Sequence, residues 1–240
     1  PPKPKLDRIV PIGETKANGY VTRVVRLEYG PESKITTQVT LTLPEGGGPF
    51  PVLIGGGSWS ASLIRRGYAA CEFPSSVDQA TNLQELHPGF DFATMAQRAW
   101  TVQLVVDYLL TVPEIDRARI AITGYSRGGK MAAIAAAFDE RIAAVIAGST
   151  GVGGVLPWRL SGERGMGEGV ESTTRAFPLW FAPQLRFFSG REDRLPVDAN
   201  LLVALVAPRA FLMNYGLNDE VSNVWDNEQS YASALKVFTA

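Results

Sequence analysis

Short apolar runs of β-type residues alternate with helical segments along most of this chain. That alternation restricts it to an α/β fold: a three-layer sandwich with a mostly parallel central sheet and helices on both faces. KITTQVTLTL (34–43) alternates polar and apolar as a half-buried strand does, while PVLI (51–54) and YAACEF (68–73) read as buried strands. Between 90 and 112, Phe92, Met95, Ala99, Val102, Val106 and Leu109 recur at spacings of three and four, one helix face ended by Pro113. RIAITG (119–124), AAVIAGS (143–149) and RAFLMNYG (209–216) are further strands, with helices expected over SRGGKMAAIAAAF (126–138) and 226–238. Residues 150–208 are rich in Gly, Pro, Arg and aromatics. They are expected as an insertion over the C-terminal edge of the sheet, where such folds place their sites. No repeat, low-complexity tract or linker interrupts the chain, so residues 1–240 are read as one domain.

Bulk properties narrow the partners. A net charge of −1 gives no electrostatic basis for binding nucleic acid or an anionic membrane surface, and no apolar run approaches the ~18 residues of a membrane span. One histidine and one cysteine cannot make a zinc site, and no phosphate-binding loop is present, so neither metal nor cofactor is implied. Cys71, inside GYAACEF, is expected as a buried core residue.

The chemistry concentrates at Gly124-Tyr125-Ser126-Arg127-Gly128. The pattern G-x-S-x-G falls where a strand becomes a helix, the context in which a serine is presented as a nucleophile on a strained turn. Small flanking residues let strand and helix pack closely. The helix N-terminus then offers a backbone N–H and its dipole to a developing oxyanion. Arg127 follows the serine directly, and Lys130 lies one turn along the same helix face. The alternative for both is a solvated surface cation, but the helix they begin is nearly all Ala, Ile and Met, so only its first turn faces a cleft. IGGGSW (54–59) offers either a second oxyanion N–H or an ordinary glycine turn.

These residues resemble a known family. GYSRGGK is similar to the Gly-x-Ser-Arg-x-Gly-Lys signature of the glucuronoyl esterases, α/β-hydrolases among the carbohydrate esterases. GERGMGE, FPLWFAP, GREDRLPVDANLLVALVAPR and GLNDEVSN resemble stretches of bacterial members, in the same order, from about residue 34 onward. The resemblance implies a serine esterase acting on esters of glucuronic or 4-O-methylglucuronic acid, the links between xylan side chains and lignin alcohols. Ser126 matches the nucleophile, Arg127 the oxyanion arginine and Lys130 the lysine that contacts sugar hydroxyls. The family takes its acid either from a glutamate after the strand that follows the nucleophile helix or from an aspartate after the next strand. The first place reads Ser149-Thr150, so the acid is assigned to Asp219, with Glu220 as the spare. A sugar-contacting tryptophan often stands two residues after that aspartate. Here the position is Val221, and Trp180 or Trp225 is expected to substitute, while Trp158 and Trp180 could equally be structural anchors.

The base is the departure. Hydrolases of this kind order their triad as Ser, acid, His, and the family places the histidine beyond the helix corresponding to 226–238. His87, in ELHPGF, precedes the serine and matches no family histidine. The chain is therefore expected to be a piece of a longer esterase, the other reading being a short form with impaired chemistry. Two rival functions remain open: a general carboxylesterase for simple acyl esters, and a homologue that binds uronate glycans without hydrolysing them. A carbohydrate ester substrate, a monomer, and a secreted or periplasmic location complete the expectation, the location because such polymers do not enter a cell.

Overall fold

The computed structural model describes residues 3–75, 83–90, 92–161 and 168–240. They group into two compact units, one of residues up to Phe92 with Gln97–Ile122 and Arg141–Ala143, the other of Ala93–Ala96, Thr123–Glu140 and Ala144–Ala240.

In the first unit β1 (Leu6–Ala17) and β2 (Tyr20–Tyr29) form an antiparallel hairpin closed by Asn18 and Gly19, the glycine at φ 89°. A positive φ at the second turn position is one that glycine adopts without steric cost. β3 (Ile35–Pro44) pairs antiparallel with β2 from end to end. Next come β4 (Phe50–Ile54), α1 (Ser60–Arg65) and β5 (Ala69–Glu72), with β5 antiparallel to β3 and parallel to β4. α2 (Leu83–Leu86) and α3 (Thr94–Leu109) lead to β6 (Ile115–Tyr125), which pairs parallel with β4. The order is thus β1-β2-β3-β5-β4-β6. Leu27, Val39, Leu41, Ile54, Cys71, Val102, Leu109 and Ile120 are fully buried, each branched side chain worth about 1.5–3 kcal/mol. Burial pushes the Cys71 thiol up.

β6 is common to both units, and its last residues open the second. There follow α4 (Arg127–Phe138), β7 (Ala144–Gly148), α5 (Val170–Ala176), α6 (Asn200–Ala204), β8 (Ala210–Asn214) and α7 (Val224–Phe238). β7 and β8 run parallel, from Ala144 opposite Ala210 to Gly148 opposite Asn214. α4 packs on β7 and buries Ala132, Ala133, Ala135 and Ala136, side chains short enough for a close helix–sheet approach. Val152, Val155, Leu156, Trp158, Val170, Leu195 and Val203 from the 150–208 segment join Ala133, Ala147 and Ala234 in one apolar cluster.

This is the α/β fold the alternation implies, and the expected strands and helices from residue 34 onward are present. Three features go beyond that reading. The hairpin of β1 and β2 was not foreseen, three strand pairings are antiparallel, and the 150–208 segment holds α5, α6 and 3-10 turns at Pro183–Phe188 and Glu192–Arg194. Among the described residues no helix is long and apolar enough to cross a membrane.

Candidate active site

Ser126 stands between the end of β6 and the first residue of α4, with its backbone at φ 52°, ψ −119°. A residue with a Cβ pays about 1–3 kcal/mol in such a region, so the surroundings must hold it there. The Ser126 N–H donates to the Gly148 carbonyl at the end of β7 (2.8 Å), and its carbonyl accepts from the Lys130 N–H (3.0 Å). Glycines make room for this turn. A Cβ on Gly124 would run into the carbonyl of Gly128, and one on Gly129 would lie 2.8 Å from the Gly148 oxygen. Ser126 and Arg127 are exposed, and the Arg127 guanidinium has no hydrogen-bond or ion-pair partner among the described residues. The Arg127 N–H stands at the N-terminus of α4, where backbone donors and the helix dipole favour negative charge.

One turn on, Lys130 is only 1% exposed. Its ammonium donates to the Thr150 carbonyl, to the Val152 carbonyl at 2.9 Å and to Glu168 Oε2 at 2.9 Å. An ammonium has three hydrogens, and all three are engaged. Burial pushes the Lys130 pKa down, opposed by the Glu168 carboxylate. The Trp180 ring centroid lies 5.7 Å from Nζ, and the ring stacks on Phe177 at 3.8 Å and 9°. Glu168 is the site residue that sequence reading missed. Its signal was its place at the end of GERGMGE, whose other six residues, 162–167, lie outside the described residues. The Glu168 side chain is 20% exposed, and a carboxylate has lone pairs beyond the one Lys130 occupies.

Asp219 follows β8. Its Oδ1 accepts the Val221 and Ser222 N–H groups at 3.0 and 2.9 Å. Partial burial pushes the carboxyl up, but the Ser149 hydroxyl and those two amides outweigh it and hold Asp219 below the usual carboxylate range. Ser149, at φ 41°, donates its own N–H to the Asn214 carbonyl at 2.7 Å. The end of β7 therefore serves both groups: the Gly148 carbonyl fixes the Ser126 turn, and the Ser149 hydroxyl holds Asp219. Where the resemblance allows a glutamate, this chain has a serine bonded to the aspartate instead. Glu220 is exposed, and Val221 is 42% exposed. Trp225 lies half-exposed in the first turn of α7. Trp158 is buried edge-on against Phe181, 5.3 Å between centroids, as a structural anchor is.

Two candidates lie in the first unit. IGGGSW forms the end of β4 and a 3-10 turn, with Gly57 packed so closely on the Glu72 carboxyl that a Cβ would come within 2.9 Å of it. His87 sits among Phe90, Phe92 and Trp100, with ring centroids 6.1–6.4 Å away, and its Nε2 is buried without a hydrogen-bond partner among the described residues. That is a packed aromatic environment.

A strained serine turn between a parallel strand and a small-residue helix, with a carboxylate on the loop after a later parallel strand, defines an α/β-hydrolase. The family model described as "Glucuronyl esterase, fungi" matches residues 28–240. The chain belongs to this family, the glucuronoyl esterases of carbohydrate esterase family 15. Carbohydrate esterase MZ0003, from an unknown prokaryotic organism, is 34% identical over 151 residues, 62% of this chain and 34% of that protein. The 4-O-methyl-glucuronoyl methylesterase 1 of Phanerochaete chrysosporium is 33% identical over 183 residues, 71% of this chain and 39% of the relative. The chain thus spans little more than a third of the length of these two relatives. A promiscuous CE15 esterase from a marine bacterial metagenome shares the fold, with a TM-score of 0.84 at 21% identity over 100% of this chain and 74% of that one.

Proposed function

We propose that this chain carries the acyl-transfer site of a serine esterase for esters of glucuronic or 4-O-methylglucuronic acid. The observation that carries the reading is the Ser126 turn: an exposed serine at φ 52°, at the N-terminus of α4, with Arg127 beside it. Ser126 Oγ attacks the uronate carbonyl carbon, and its proton passes to a general base. Arg127, through its N–H and guanidinium, stabilises the tetrahedral oxyanion. The C–O bond to the alcohol then breaks, the alcohol leaves with a proton, and water hydrolyses the resulting serine ester. Asp219, held ionised by three donors, is the acid that orients the base. No residue of the chain is assigned as that base, since its one histidine is His87.

Substrate preference rests on the Lys130 cluster. Lys130 holds Glu168 and the Thr150–Val152 carbonyls, so in this arrangement a sugar hydroxyl meets the remaining lone pairs of Glu168, with Trp180 as the adjoining apolar wall. The names of the curated relatives support a uronate ester, and a polymer-borne substrate implies a secreted or periplasmic setting. Comparison of benzyl glucuronate with p-nitrophenyl acetate tests the reading. Preferential hydrolysis of the uronate supports it, preference for the acetate marks a general carboxylesterase, and binding without hydrolysis marks a glycan-binding homologue.

A further inference from the structure

The buried face of α7 is polar over its first two turns, before it reaches Ala234. Asn223, Asp226, Asn227 and Ser230 fall at spacings of three and four, hence on one stripe, and the last three are 3%, 1% and 0% exposed. A helix that only closes a core carries apolar residues there, because burying a polar group is unfavourable unless it is hydrogen-bonded. Asn223 caps the helix itself, accepting the Asp226 N–H at 2.9 Å and donating to the Asp226 carboxylate at 2.7 Å, and the other three also reach two loops. Toward the Asp219 loop, Asn227 Nδ2 reaches the Ser222 carbonyl at 3.0 Å, the Ser222 hydroxyl at 3.2 Å and the Asn223 carbonyl at 2.8 Å. Ser222 is itself fully buried, and its N–H donates to Asp219. Toward the loop around Lys130, the Ser230 hydroxyl donates to the Val155 carbonyl at 2.5 Å, and the Asp226 carboxylate accepts from Ser161 at 3.2 Å. The Val155 N–H in turn donates to Thr150 Oγ1 at 3.0 Å, and the Thr150 carbonyl accepts from Lys130.

We propose that Asn227 is a positioning residue for the acid: its amide fixes the Ser222 backbone so that the Ser222 N–H points at the Asp219 carboxylate. Ser230 and Asp226 anchor the same helix face to the Lys130 loop. The inference rests on the reading of Asp219 as the catalytic acid, but it is tested without turnover, so the two fail separately.

The experiment is a 13C carboxyl NMR titration of Asp219 in the wild-type chain, Asn227→Ala and Ser230→Ala, with thermal melts alongside. Asn227→Ala is expected to move the Asp219 midpoint up toward the ordinary aspartate value, and Ser230→Ala to leave it in place. A folded Asn227→Ala protein that titrates like the wild type overturns the proposal even if its Tm falls, since that pattern belongs to a purely structural residue. Equal shifts in both variants also overturn it, as a general loosening of α7. Asn227→Ser keeps one short donor and serves if the alanine form does not fold, with a smaller upward shift expected. Amide exchange in the wild-type chain needs no variant: Ser222 is expected to exchange as slowly as the body of α7, and exchange at the rate of an exposed loop contradicts the inference.

Discussion

At the residue scale, the glycines around Ser126 divide by what lies opposite them. Gly124→Ala sets a Cβ against the Gly128 carbonyl, backbone that cannot yield cheaply, and is expected to cost about 3 kcal/mol in urea unfolding. Gly128→Ala, in the same motif, meets nothing within 4 Å and is expected to gain about 0.5–1 kcal/mol through helix propensity. Ser149 acts through charge. Asp219 sits below its ordinary pKa when folded, so the unfolded chain binds that proton more readily. The stabilisation is complete above about pH 4 and is lost as pH falls through the folded value. Ser149→Ala removes one donor, so its stability deficit is expected to be larger at pH 6 than at pH 3 by urea midpoint. An equal deficit at both would mean that the hydroxyl does not act through the carboxylate. The strand-to-helix turn that carries Ser126 and Arg127 was legible because its motif and element context are local, and Asp219 was placed after a strand through the family resemblance. The burial of Lys130 was not, because its partners, Thr150, Val152 and Glu168, come from a segment without periodicity.

At the scale of elements, the hairpin of β1 and β2 depends on its turn. Gly19 stands at φ 89° with nothing within 4 Å of a Cβ, so Gly19→Ala carries only the conformational penalty, expected at about 1–2 kcal/mol in urea unfolding. A null effect would show that the hairpin contributes little to the cooperative unit. Asn18-Gly19 between two extended runs is a strong hairpin signal. Pro11 and Gly13 weigh against it, since both are unfavourable in a strand interior. The structure reconciles them: β1 is an edge strand, and its register slips between Pro11 and Gly13. The α7 stripe misleads in the opposite sense. Polar residues at helical spacing read as a solvent face, and only the loops they bind show that they point inward.

At the scale of the whole molecule, family membership and fold agree with the alternation of strands and helices, while the chain covers little more than a third of the first curated relatives it matches. What the sequence could not convey was how one strand end, Gly148-Ser149, holds both the Ser126 turn and the Asp219 loop, since Ser126, Ser149 and Asp219 are far apart along the chain. On the proposed function, Ser126 forms an acyl-enzyme with a uronate ester. The most direct test of this is benzyl alcohol release from benzyl glucuronate by this chain and by Ser126→Ala, each with imidazole in solution as a proton acceptor. The oxyanion site serves both proteins alike, but only the wild-type chain has a hydroxyl for the imidazole to deprotonate. Release by the wild-type chain is therefore expected to exceed that by the alanine variant. Equal release from the two proteins would contradict the assignment of Ser126 as the nucleophile.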